Sequence, residues 1–293
     1  MDYIVTPPED GRAVRDILRR SMSVSYSAMK SAKWDNRVLL NGVPVFVSAR
    51  VTAGDTVTFL EAEKEPVYPV KPYALPLTIP YIDDYLIVVD KPAPLASQSS
   101  AGHPDDSLEN AVFSYFGCPD NFIYRPVNRL DKGTSGLMVI ARTAHAQQLL
   151  QRMLHTNRFN RGYLAVTEGI PSPLTGVVDL PIAKVPDASV KRYVSPDGKP
   201  SVTRYSVLKT RGNRALVSLT LETGRTHQIR VHMSASGCPV CGDFLYGTEL
   251  PELPGRFALH SASLSLVHPV TGETLSFTSA LPDELSALIN DGE

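Results

Sequence analysis

Val127-Asn-Arg-Leu-Asp-Lys-Gly-Thr-Ser-Gly136 crowds polar residues between two segments that read as strands, residues 122–124 and 137–141. A polar loop clamped between core strands is a rigid mount, and it singles out Asp131 as a carboxylate held in a fixed place. Gly133 and Gly136 permit positive φ and close approach of one backbone to another. By itself the loop reads equally well as an Asp-mediated turn in which Thr134 and Ser135 satisfy the backbone.

Two further segments put polar residues where a plain helix or strand would not want them. Glu222-Thr-Gly-Arg-Thr-His-Gln-Ile-Arg-Val-His232 predicts a helix over residues 226–234, capped by Thr223 or Thr226. On it His227, Arg230 and Ser234 share one face. Arg225 precedes them at the helix start, where backbone N–H groups favour anions. Arg230 is a candidate partner for a carboxylate or a clamp for a phosphate. The plainer alternative is a capped amphipathic helix with surface arginines. Arg161-Gly-Tyr-Leu-Ala-Val-Thr-Glu-Gly169 reads as a strand with Tyr163 near its start. Such a tyrosine is commonly core, and in a nucleic-acid enzyme it equally serves as a platform for a flipped base.

Working outward, strands are expected at residues 86–90, 137–141, 163–167, 201–208, 215–221 and 258–267, and helices at 107–116, 143–155, 226–234 and 283–290. Strands do not alternate regularly with helices, so the expected class is α+β rather than a doubly wound parallel sheet. Residues 77–293 read as one domain. Residues 63–76 hold Pro66, Pro69, Pro72 and Pro76 among charges, the composition of a stiff connector. Residues 1–62 read as a separate module, with two short helices over 11–33, a hairpin turning at Asn41-Gly42, and a strand over 56–60.

The 293 residues are 43% hydrophobic and 20% charged, an ordinary globular balance. No apolar run approaches the roughly 20 residues needed to span a bilayer. The first twenty residues carry Asp2, Glu9, Asp10 and four arginines without an apolar stretch, so no signal peptide is read there. With only three cysteines, a cytoplasmic protein is expected. Net charge is −1, but it is unevenly spread. Residues 11–50 hold eight Lys or Arg against two acids, and residues 121–165 hold seven against one. Two basic islands on a neutral chain suit phosphate contacts on chosen faces, although solvated helix faces look the same. Cys238-Pro-Val-Cys241 has the spacing of a zinc half-site without a second pair. His227 and His232 stand roughly 140° apart around a helix. No metal is expected, and no phosphate-loop or dinucleotide-binding glycine signature occurs.

Taken together, the three segments resemble the RluA-type family of pseudouridine synthases, whose motifs run His-Arg-Leu-Asp-x-x-Thr-Ser-Gly, Tyr-x-Ala and Gly-Arg-Thr-His-Gln-Ile-Arg-Val-His. A further match is the run Leu86-Ile-Val-Val-Asp-Lys-Pro-Ala-Pro-Leu95, and the likeness covers about residues 78–280. Residues 1–62 resemble the S4 domain, a small RNA-binding module, through Arg37-Val-Leu-Leu-Asn-Gly-Val-Pro-Val45 and Val51-Thr-Ala-Gly-Asp-Thr-Val57. The resemblance implies a mixed, mainly antiparallel central sheet, a cofactor-free isomerase and a monomer. It implies Asp131 as catalytic aspartate, Arg230 as its partner and Tyr163 stacked on the target base. Arg129 would hold the RNA open. Thr134, Ser135, Arg225, His227 and Gln228 would contact RNA or support the loop. Two positions depart from the family's usual pattern: Asn128 stands where histidine is usual, and Gly162 where a longer residue is common.

Isomerising uridine breaks N1–C1′, turns the uracil and forms C5–C1′ inside one pocket. No group is imported, so neither nicotinamide, ATP nor metal is called for. A carboxylate serves as nucleophile or as base on the ribose, and both stay open. A cation such as Arg230 favours the charged form of a neighbouring carboxylate. The substrate is expected to be structured RNA, ribosomal or transfer. A non-catalytic RNA-binding assembly factor is the alternative. A glycoside-type hydrolase would want a second carboxylate beside the first, and none lies in these motifs.

Overall fold

The computed structural model describes residues 1–24, 26–34, 36–60, 70–186 and 190–290. The chain divides into two compact units, Met1–Val67 and Tyr68–Glu293.

In the first unit β1 (Asp2–Ile4), β2 (Val38–Leu40), β3 (Val43–Pro44) and β4 (Thr56–Phe59) form a sheet of order β1-β4-β2-β3. A helical turn α1 (Val14–Asp16) continues through a wider turn at Ile17–Ser21, and α2 (Tyr26–Trp34) follows. Val14, Ile17 and Leu18 are buried with Val38, Val57 and Phe59, while Arg15, Arg19 and Arg20 on the same turns are exposed. Asn41 (φ 50°) and Gly42 (φ 80°) both turn through positive φ, as a two-residue hairpin twisting with its strands requires.

The second unit is built on one nine-stranded sheet. Its strands are β5 (Thr78–Ile82), β6 (Leu86–Lys91), β7 (Ser135–Ala141), β8 (Phe159–Glu168), β9 (Thr175–Asp179), β12 (Val202–Arg211), β13 (Arg214–Leu221), β14 (Leu259–Val267) and β15 (Thr274–Thr278). The order is β5-β6-β7-β14-β8-β13-β12-β9, with β15 added on β14. Every pairing is antiparallel except β14 with β7, so the class is α+β with a mixed, mainly antiparallel sheet. A separate ribbon pairs β10 (Ile182–Lys184) with β11 (Arg192–Val194). The helices are α3 (Leu108–Tyr115), α4 (Ala144–Met153), α5 (Gln228–Ala235) and the short α6 (Asp283–Ser286). The near-continuous apolar runs of β6 and β7 are explained by burial on both faces: Ile87, Val89, Met138 and Ile140 join one core and Leu86, Val88, Leu137 and Val139 the other.

Several expectations are corrected. Residues 122–124 form no strand; beyond them Pro126 makes an isolated bridge to Ile140. The helix expected over 283–290 is regular only for Asp283–Ser286. Residues 63–69 of the connector, and residues 61–62 before it, lie outside the described residues. Residues 70–76 do not run free. Tyr73 and Leu75 pack on the core, Tyr73 N donates to Asn110 O (3.3 Å), and Asn110 Nδ2 donates to Lys71 O (2.8 Å). Among the described residues, no helix is long and apolar enough to cross a membrane.

Candidate active site

The loop 128–134 leads into β7, and it is pinned from several sides. Ser97 Oγ donates to Leu130 O (2.6 Å) and accepts from Leu130 N (3.2 Å). Leu95 N donates to Lys132 O (2.9 Å), and Thr134 N closes a turn on Asp131 O (3.0 Å). Lys91, wholly buried, donates from Nζ to Leu95 O (2.8 Å), Pro92 O (3.0 Å) and, more weakly, Lys132 O (3.4 Å). Burial, aided by the charge of Arg256 and opposed by that of Asp131, pushes its pKa down to about 7. Gly136 (φ +106°) closes the loop where a β-carbon would overlap the Ser261 backbone of β14. A β-carbon at Gly133 would stand 2.7 Å from the Phe257 ring, so close approach, not positive φ, demands that glycine.

Arg230 on α5 is buried between two carboxylates. Its Nη1 donates to Asp131 Oδ2 (3.0 Å), and Nε and Nη2 donate to Asp243 Oδ2 (2.6 Å) and Oδ1 (2.8 Å). Its guanidinium carbon lies 3.9 Å from the centroid of the Phe257 ring. Burial works against its charge, but the bonds to Asp243 and the charges of Asp131 and Asp243 outweigh it and raise its pKa. Asp243 is completely buried and also accepts from Leu245 N (3.0 Å) and Tyr246 N (3.2 Å). Asp131 keeps about a quarter of its side chain exposed, so one edge of this network opens to solvent. That opening is a cleft whose lining includes Arg129, Asp131, Tyr163, Arg225, His227 and Arg230.

The helix begins later than expected. His227 is the residue before α5, in a left-handed conformation (φ 58°, ψ 19°), and neither Thr223 nor Thr226 caps it. Thr223 Oγ1 instead donates to Gln228 Oε1 (2.8 Å) and accepts from Val202 N (2.9 Å). Gln228 also accepts from Arg225 N (2.9 Å) and donates to Val202 O (3.0 Å) and Thr203 Oγ1 (3.1 Å). Its polar atoms therefore support the turn, and Gln228 also lines the cleft. His227 Nε2 faces Asp131 Oδ2 at 3.8 Å, with Nδ1 against Tyr246 OH (2.8 Å). Burial lowers the pKa of His227, and Arg230 and Arg192 add to that against the opposing charge of Asp131.

Tyr163, on β8, is 6% exposed and lines the cleft, where burial raises its pKa. Arg129 is exposed at the rim. Thr134 is buried but reaches the lining. Ser135, expected as an RNA contact, points into the interior: Oγ pairs with His260 Nδ1 (2.9 Å) and accepts from Arg256 Nη2 (3.0 Å). Asn128 Oδ1 accepts from Val139 N (2.9 Å), while its buried Nδ2 has no partner. Cys238 and Cys241 are free and buried, and the Cys241 backbone donates to Val166 O of β8 and accepts from Ala258 N, the residue before β14.

Asp243 and Lys91 were not singled out from the sequence. For Asp243 the signal was an acid directly after Cys241-Gly242, ahead of the apolar Phe244-Leu245-Tyr246. Such an acid must be either exposed or paired.

A pocket walled by an aspartate–arginine pair and a tyrosine thus opens on this sheet. Residues 85–235 match the family model described as RNA pseudouridylate synthase. The chain is 38% identical over 251 residues to the uncharacterized RNA pseudouridine synthase YjbO of Bacillus subtilis, covering 85% of this chain and 88% of that one. It is 40% identical over 232 residues to the ribosomal large subunit pseudouridine synthase D of Haemophilus influenzae, covering 74% and 71%. The structure resembles human RNA pseudouridylate synthase domain containing 1 (TM-score 0.59, 26% identity, 70% and 83% covered). The chain belongs to the RNA pseudouridylate synthase family, and is an isomerase that converts uridine in RNA to pseudouridine.

Proposed function

We propose that Asp131 is the essential carboxylate of this isomerisation, that Arg230 positions it, and that large-subunit ribosomal RNA is the substrate. The observation that carries the reading is the Asp131–Arg230–Asp243 network, buried except for the edge of Asp131 that faces the cleft. A guanidinium fixed on its far side by a fully buried Asp243 presents its remaining N–H groups to Asp131 and orients that carboxylate towards the bound nucleotide. The relatives named for ribosomal large-subunit RNA favour that substrate over transfer RNA.

In the reaction the N1–C1′ bond breaks, the uracil turns, and C5–C1′ forms. The proton leaving C5 is matched by one gained at N1, so RNA mass is unchanged. Asp131 acts on the ribose as nucleophile or base, and both roles need an unprotonated oxygen directed into the pocket. Tyr163 presents its ring to the flipped base, and Arg129 at the rim occupies the place the base vacates. Residues 1–62, with Arg15, Arg19, Arg20 and Lys30 exposed, are an S4-like RNA-binding domain. A cytoplasmic monomer fits this assignment.

Asp131→Asn and Asp131→Ala are expected to abolish pseudouridine formation in ribosomal transcripts, scored by chemical mapping, while RNA Kd stays within about threefold. If Asp131→Ala still converted labelled uridine, the assignment would collapse.

A further inference from the structure

Beside the cleft lies a second cationic group that the Asp131 network does not use. Arg161 stands two residues before Tyr163 on β8, where residues 161–163 pair one after another with β14 and the extra residue, Ala262, lies on β14, so the two side chains leave the same face of β8. Its guanidinium converges with a histidine on one glycine. A β-carbon built on Gly224 would sit 3.5 Å from both Arg161 Nη1 and Nη2 and 3.7 Å from His155 Cε1. Arg225 follows that glycine directly, lines the cleft, and is held by a bond from its Nε to Pro200 O (3.2 Å).

Nothing among the described residues neutralises this group. Arg161 Nε is buried with no hydrogen-bond partner, and no acid lies within ion-pair reach of Arg161 or Arg225. The neighbouring acid Glu222 is taken up by Arg204 at 2.6 Å. Burial and the charges of Arg161 and Arg225 together lower the pKa of His155. Like charges gathered without a counter-ion are unfavourable alone, and an anion relieves them. The exposed Gly224 leaves the space in front of the guanidinium clear of any side chain.

We propose that Arg161, Arg225 and His155 around Gly224 form a seat for a backbone phosphodiester of the RNA, next to the uridine that enters the Asp131 cleft. The seat rests on RNA being the substrate. It holds the strand at a fixed distance from the cleft, since a phosphate contact sets register without reading sequence.

The test uses the full-length protein and a transcript of large-subunit ribosomal RNA, with Kd measured across a series of chloride concentrations. Arg161→Gln is expected to weaken binding roughly tenfold and to reduce the log Kd against log salt slope by about 0.7 to 0.9. Arg225→Gln is expected to do the same from a different element, so a folding defect in one variant does not decide the matter. Arg161→Lys should keep most of the slope. Inorganic phosphate should displace RNA no better than chloride at matched ionic strength; selective displacement would point instead to a free-anion site and overturn the proposal. Equal slopes for wild type, Arg161→Gln and Arg225→Gln would also overturn it, even with pseudouridine formation intact. If wild type neither bound nor converted RNA, the functional reading would fail and take the seat with it.

Discussion

Replacing Asp243 by asparagine tests whether the second carboxylate on Arg230 governs catalysis or only the fold. The amide oxygen can keep the bonds from Arg230 Nη2, Leu245 N and Tyr246 N now made to Oδ1. Its NH₂ then faces Arg230 Nε, where Oδ2 accepts at 2.6 Å. A charge-assisted bond contributes about 1.5–3 kcal/mol, and breaking one side of a buried ion pair costs about 3–5 kcal/mol. Asp131 remains as a counter-charge at 3.0 Å, which puts the loss at the lower end, about 3 kcal/mol of folding stability. The larger effect is expected in turnover. Two donors opposed across a closed site push the guanidinium off its seat, and a displacement of about 1 Å costs on the order of a hundredfold in rate. Urea unfolding gives the first quantity, single-turnover pseudouridine formation the second, and filter binding the RNA Kd, expected within about threefold of wild type. Turnover within threefold of wild type, alongside the expected destabilisation, would refute the reasoning. Asp243 would then be a structural anchor whose loss Arg230 tolerates.

Three further outcomes are expected. Asn128→Ala leaves Val139 N without the acceptor it has at 2.9 Å and should cost about 1–3 kcal/mol in urea unfolding, whereas Asn128→His offers a ring nitrogen in the same place and should cost less. Gly136→Ala forces a β-carbon at φ +106° against the Ser261 backbone, and should lower stability by about 3 kcal/mol or more and abolish activity in surviving protein. Glu9 has its pKa lowered to about 2 from 4.5 by bonds from Ser21, Thr6 and Tyr3 against an opposing burial effect. Its contribution is complete above about pH 5 and is lost as pH falls from 4.5 through 2; after discounting for solvent screening it is worth about 1–2 kcal/mol. Hydrogen exchange over residues 1–60 of the full-length chain should show that acid loss in wild type and not in Glu9→Gln.

The main strands were legible because their apolar runs are long and their ends are marked by turn residues. β6 and β7 fall within two residues of expectation. The edge strands β5, β9 and β15 alternate exposed with half-buried or, at Val178, buried positions and carry too weak a pattern to be recognised. The α5 boundary was misplaced for a specific reason. Thr223 and Thr226 are good caps by residue type, but the turn is closed by the Gln228 side chain, whose bond to Arg225 N only the fold reveals. Ser135 bonds inward, because a motif gives proximity in sequence while the pleat of β7 decides which side chains face the cleft.

Asp131 and Arg230 could be named from their motifs, yet the geometry that makes them a pair could not. A single aspartate and arginine 3.0 Å apart, with Asp131 a quarter exposed, would be a weak contact that water and salt loosen. Asp243 changes that. By taking Nε and Nη2 in a two-pronged bond, it fixes the guanidinium plane, and Phe257 stacks against that plane at 3.9 Å. Nη1 is thereby aimed at Asp131 before RNA arrives. The charged pair is oriented once, during folding, and on the proposed role of Asp131 it need not be oriented again in each catalytic cycle. The desolvation of Arg230 and Asp243 is thus a stability cost carried for a network whose Asp131 edge stays open to the cleft.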